Sequence, residues 1–137
     1  MQTYHVNVEW LVKDRVILIQ PVGDFESPVA LEAVGEVKRM VNEGIRPVHL
    51  VMDTSRVTTH LREPRVFGTS LDSLRYHRSM GRLVFIYTDP FARFAGELLS
   101  RFLGVPFRLA GTTEHAVDIL RRLDVTLANN EPDAIPA

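Results

Sequence analysis

The apolar positions of this chain switch repeatedly between a period of two and a period near 3.6. Tyr4–Trp10 alternates, with His5, Asn7 and Glu9 on one side, which predicts a half-exposed strand. Val12-Lys-Asp-Arg15 is a short polar break. Val16-Ile-Leu-Ile19 is then apolar on both faces, as a buried strand should be. Two strands joined this closely are expected to pair as a hairpin. Ser27 and Pro28 follow: a hydroxyl that accepts a hydrogen bond at a helix start, then a residue whose missing N–H is harmless there. Leu31, Val34, Val37 and Val41 recur at helical spacing, and Gly44 fits the C′ position, so a helix is predicted over Pro28–Asn42.

The alternation repeats downstream. Val48–Met52 reads as a third strand. Pro64 starts a second helix with Phe67, Leu71 and Leu74 on one face, weakened at Gly68 by about 1 kcal/mol relative to alanine. Leu83–Tyr87 is a fourth strand. Asp89-Pro90 repeats the cap-then-proline signal ahead of a third helix carrying Phe91, Phe94, Leu98, Leu99 and Phe102, which Gly104 ends. Pro106–Ala110 is a short edge strand, where a proline is tolerated. Thr112 or Thr113 caps a fourth helix with Ala116, Ile119, Leu120 and Leu123 as its stripe.

The order ββαβαβαβα predicts an α/β fold with a mixed five-stranded sheet, its later strands parallel and joined by right-handed crossovers. Strands laid down in sequence order would place every crossover helix on one face. Yet Ile17, Ile19, Val84 and Ile86 make both faces apolar. A second cover is therefore expected, either a second copy of the chain, making a homodimer, or helix two crossing to the other side. Periodicity fades from Val125. The reading is one domain over residues 1–124 and a flexible tail over 125–137.

Composition narrows the classes. At 137 residues and 45% hydrophobic, the chain can build one core without disulfides. It has no cysteine, which excludes thiolate metal sites and a cysteine nucleophile. A net charge of −1 offers no general attraction to nucleic acid. No apolar run is long enough to span a bilayer, and the first residues do not read as a signal peptide, so a cytoplasmic protein that is not integral to a membrane is expected.

The polar residues concentrate after the third strand, at Asp53-Thr-Ser-Arg-Val-Thr-Thr-His-Leu-Arg-Glu-Pro-Arg65. Strand ends of parallel sheets are where ligands gather. Asp53 suits an Asx turn, accepting from the amides of Ser55 and Arg56. Thr58 and Thr59 are hydroxyls that a phosphate could modify. Arg56, Arg62 and Arg65, with His60 among them, could bind an anion or an acidic partner near a helix N-terminus. The histidines His5, His49, His60, His77 and His115 lack metal-ligand spacing, and His49 in mid-strand is expected to be packed. Asp53, His60 and Ser55 could be imagined as a triad, but no Gly-x-Ser-x-Gly elbow supports it. Neither a Gly-x-Gly-x-x-Gly fingerprint nor a P-loop is present. No catalytic residue, metal site or cofactor is expected.

Several of these segments resemble the STAS domain of anti-sigma-factor antagonists and sulfate transporter tails. Gly23-Asp24 with Ala30 resembles its Gly-x-Leu-Asp-x-x-x-Ala region, Leu50–Val57 its strand ending in Asp-Leu-Ser-x-Val, and Thr112–Leu120 its closing helix. The resemblance covers about Trp10–Leu123. The family's Asp-Ser-Ser-Gly or Asp-Ser-Ala-Gly, eight positions past the strand aspartate, is replaced by Leu61-Arg-Glu-Pro64. Arg62 stands where the phosphorylated serine would be and cannot accept a phosphate. The resemblance implies a divergent branch, also likened to lipid-binding Sec14-type domains. It implies a non-catalytic regulatory module that recognises a protein partner or itself, without the usual serine switch. Asp53, Ser55, Arg56, Thr58, Thr59, His60, Arg62 and Arg65 would be its contact residues. The alternative is a domain for a small anionic or lipid ligand, with Phe91, Phe94, Phe102 and Phe107 as candidate lining. A hydrolase is the least favoured reading.

Overall fold

A run of strands apolar on both faces must be covered twice, and the chain does this with its own helices. The computed structural model describes residues 5–24, 27–59, 74–75, 77–86 and 90–128. Along these run β1 (His5–Val12), β2 (Val16–Asp24), α1 (Ser27–Glu43), β3 (Val48–Asp53), β4 (Arg56–Thr59), β5 (Met80–Ile86), α2 (Pro90–Leu103), β6 (Phe107–Ala110), α3 (Thr113–Leu123) and α4 (Val125–Ala128). The predicted second helix, from Pro64, lies outside the described residues except for Leu74, which is buried.

β1 pairs antiparallel with β2, and β2–β3, β3–β5 and β5–β6 are parallel, in the sheet order β1-β2-β3-β5-β6. This is the expected mixed sheet with one more strand, since β4 pairs with β2 off the main path. The register explains the extra strand. Ile19 faces Met52, whereas Val22 faces Arg56, so β3 resumes as β4 on the same neighbour after one inserted residue. Such an insertion is a β-bulge. Pro21 occupies the stretch of β2 between these two pairings, where the missing N–H of proline is tolerated.

One face carries Ile17, Ile19, Leu50, Leu83 and Phe85 under Val37, Met40 and Val41 of α1 and Leu103 of α2. The other carries Val16, Leu18, Val51, Val84 and Ile86 under Ala116 and Leu120 of α3 and Leu127 of α4. The second cover is thus the closing helix. α3 follows the edge strand and does not cross over to another, so the handedness of crossovers leaves it free to return on the far side. The apolar pattern that suggested self-association is met within the chain. Thr112 is the N-cap of α3, its Oγ1 accepting the His115 N–H at 3.0 Å. Packing also continues past Val125, where the sequence loses its period, because Leu127 is fully buried.

The predicted stripes hold at Val34, Val37 and Val41 of α1 and at Leu99 and Phe102 of α2, and fail along one edge of each. Leu31 of α1 is 51% exposed, and in α2 Phe94 and Leu98 face outward. α2 also turns Gly96 and Leu103 to the sheet. The reason is a close approach: a Cβ on Gly96 would fall 2.3 Å from the Phe107 ring. Phe107 in turn stands edge-on to Phe85, and Phe102 lies under the Arg75 guanidinium. These two aromatics are committed to packing.

Candidate functional site

The strand-end loop is built around Asp53. This residue ends β3 on the second face and is buried. Its Oδ1 accepts the Ser55 N–H at 3.0 Å, the Asx turn expected of it. Its Oδ2 accepts Gln20 Nε2, also at 3.0 Å. Gln20 Oε1 in turn accepts Asn7 Nδ2 at 3.3 Å. A carboxylate only accepts, so Gln20 must turn its amide nitrogen to Asp53 and its oxygen to Asn7. The result is a polar ladder across three strands, from the sheet edge to the buried carboxylate. The backbone turn closes with Val57 N–H on the Thr54 carbonyl at 3.1 Å.

This knot decides what the loop displays. Ser55 and Arg56 are exposed at the carboxyl end of β3. The inserted residue puts Arg56 opposite Val22, on the same face as Gln20 and Asp53. Thr58 and Thr59 belong to β4 by their backbone. His60, Arg62 and Arg65 lie outside the described residues, as does the Leu61-Arg-Glu-Pro64 segment. The structure therefore brings together Asp53, Ser55 and Arg56 of the predicted set. It adds Gln20 and Asn7, which no motif marked. The signal available for them was that both fall on the open side of alternating strands.

A second polar cluster sits at the opposite end of the strands. His49 and Arg15 are each 2% exposed. Arg15 Nη2 donates to Asp124 Oδ2 at 3.0 Å and to Thr126 Oγ1 at 2.8 Å, and its Nε reaches the Pro47 carbonyl at 3.3 Å. His49 Nε2 meets the same Asp124 oxygen at 2.8 Å, while Nδ1 accepts the Arg82 N–H at 2.8 Å. An accepting Nδ1 carries no proton, so the ring is neutral and Nε2 is the donor. Burial lowers the His49 pKa; the hydrogen bond and charge of Asp124 oppose this, and Arg15 and Arg82 add to it. Burial by itself would raise Asp124. Hydrogen bonds from Thr126 and His49 outweigh it and bring the carboxyl down to about 2.

Asp124 Oδ1 also accepts from the Thr126 N–H at 3.0 Å and its hydroxyl at 2.6 Å. The carboxylate's acceptor sites are thus filled, as a nearly buried charge requires. Arg15 came from a segment read as a polar break, but it is a core residue. The cluster pins the last described helical turn to the sheet. Among the described residues, no three His, Asp or Glu side chains converge as metal ligands.

The arrangement defines a class first: a mixed α/β domain, with a loop displayed at its parallel strand ends. No family model and no curated protein matches the chain. Solved structures place the fold. A protein of the DUF3478 family with a SpoIIAA-like fold from Shewanella loihica superposes with a TM-score of 0.64 at 14% identity, over 88% of this chain and 97% of that one. An anti-sigma factor antagonist from Mycobacterium paratuberculosis gives 0.54 at 21% identity, over 87% and 95%. The fold is STAS-like. No described helix is long and apolar enough to cross a membrane.

Proposed function

We propose that this chain is a non-catalytic regulatory module that recognises a protein partner through the loop from Asp53 to Pro64. The observation that carries the reading is the Asp53 knot. Both carboxylate oxygens hold protein donors, so Asp53 serves to shape the loop, and among the described side chains of the loop Ser55 and Arg56 face outward. Arginine at a strand end suits a partner's carboxylates. The likeness to a protein named as an anti-sigma factor antagonist supports a signalling role. Leu61-Arg-Glu-Pro64 in place of a serine motif supports recognition without the usual phosphate. Affinity capture from a lysate of the source cells tests it, with the wild-type chain beside Arg56→Glu combined with Arg62→Glu. Loss of specifically retained proteins in the double variant is expected. An unchanged set of captured proteins overturns the reading.

A further inference from the structure

The sheet register extends the displayed surface beyond the loop. On the second face, His5, Val22 and Arg56 form one row across three strands, and Asn7, Gln20 and Asp53 form the next. With neighbouring strands about 4.8 Å apart, His5 and Arg56 flank Val22 at roughly 10 Å from each other. α3 packs on β3, β5 and β6, and His5, Asn7, Ser55 and Arg56 are exposed. Among the described residues, this half of the face is left open by the helices.

Within these two rows the charge that faces solvent is the Arg56 guanidinium; the acid Glu9 follows on the same side of β1, in the next row. Arg56 offers only donors. The Asn7 and Gln20 amides each spend one N–H inside the ladder and keep a second. Ser55 adds a hydroxyl and His5 an imidazole. The one acid in these rows, Asp53, is 8% exposed and turned inward onto Gln20 and Ser55. A donor-rich strip of this kind is complementary to groups that only accept, which among protein side chains are carboxylates. We infer that the open strip His5–Asn7–Gln20–Ser55–Arg56 is the docking surface, and that its occupant is an acidic segment of a protein partner. This rests on the protein-recognition reading and deepens it. The contact then lies on the sheet face and includes the edge strand, not the loop tip alone.

The test is a titration of the isotopically labelled full chain, followed by backbone amide shifts at fixed ionic strength. The probe is a capped hexaglutamate peptide; hexalysine and inorganic phosphate are run as separate arms. Hexaglutamate is expected to shift His5, Asn7, Gln20, Val22, Ser55 and Arg56. His5→Glu with Arg56→Glu, both exposed positions, should weaken that binding at least about tenfold. Shifts centred elsewhere, or undiminished in the double variant, overturn the inference. So does phosphate moving these residues while the peptide does not. In the lysate capture, His5→Glu alone should also reduce retention. If Arg56→Glu abolishes capture and His5→Glu leaves it intact, the strip fails while the protein-recognition reading stands. If neither variant matters, both fail.

Discussion

Among the described residues, Asp124 is the one on which the greatest number of side-chain donors meet, and its removal has a calculable direction. Asp124→Asn would leave the Arg15 guanidinium, only 3% exposed in its side chain, without its counter-charge. Breaking a buried pair from one side costs about 3 kcal/mol or more. Urea unfolding should therefore show a stability lowered by that amount, with the slope unchanged. The pH dependence follows from the same cluster. His49 and Asp124 both titrate lower in the folded chain than their ordinary 6.5 and 3.8. A depressed value means that the unfolded chain takes up the proton first, so stability is complete above the ordinary value and falls as acid is added. Loss should begin below pH 6.5 through His49 and steepen between 3.8 and about 2 through Asp124. In Asp124→Asn the lower step should shrink; an unaltered acid limb would contradict the assignment. This cluster was not legible in the sequence. Arg15 and Asp124 lie 109 positions apart, and nothing local marks a charged residue that folding will bury. The Asx turn at Asp53 was legible, because its partner is two residues away.

At the scale of elements, boundaries and types followed from period and capping wherever a stripe had one answer. The failures have physical causes. α2 turned its glycine to the sheet because of a close approach that no helical periodicity encodes. β4 escaped notice because one inserted residue breaks the alternation. Gly81 belongs to the same kind of information. A Cβ there would fall 2.4 Å from His49 Nδ1, so the bare backbone of β5 is what lets the imidazole reach the Arg82 N–H. Gly81→Ala should push the ring off that donor and cost about 2 kcal/mol, an unpaired buried polar group being the main term. Chemical denaturation gives the cost. The imidazole resonances of His49 should move as well, whereas stability and resonances that match the wild type would refute the role.

At the scale of the molecule, the chain's own helices cover one side of its sheet and part of the other, and the last described turn is part of that cover. Leu127 is fully buried with Val12, Val16 and Leu18, and Thr126 hydrogen-bonds Arg15. Truncation after Asp124 removes both contacts. Burial of a leucine contributes roughly 2 kcal/mol, so the shortened chain should unfold at clearly lower urea than the full one. Equal midpoints would show that α4 is dispensable. The overall α/β order could be read in advance because each strand and crossover carries its own local signature. Which helix covers which face could not, since a terminal helix obeys no handedness rule.

The single extra residue between β3 and β4 has a consequence for how such a loop can change. A strand shows its residues to alternate sides, so the displayed side depends on whether the count from Asp53 to Arg56 is odd or even. The bulge cancels that dependence: Arg56 is three residues from Asp53 yet shares its side, and deleting Thr54 would remove the bulge and leave Arg56 two residues on, opposite Val22 and still on the open strip. The bulge acts here as a buffer of loop length, taking up one extra residue while the exposed chemistry stays where it is.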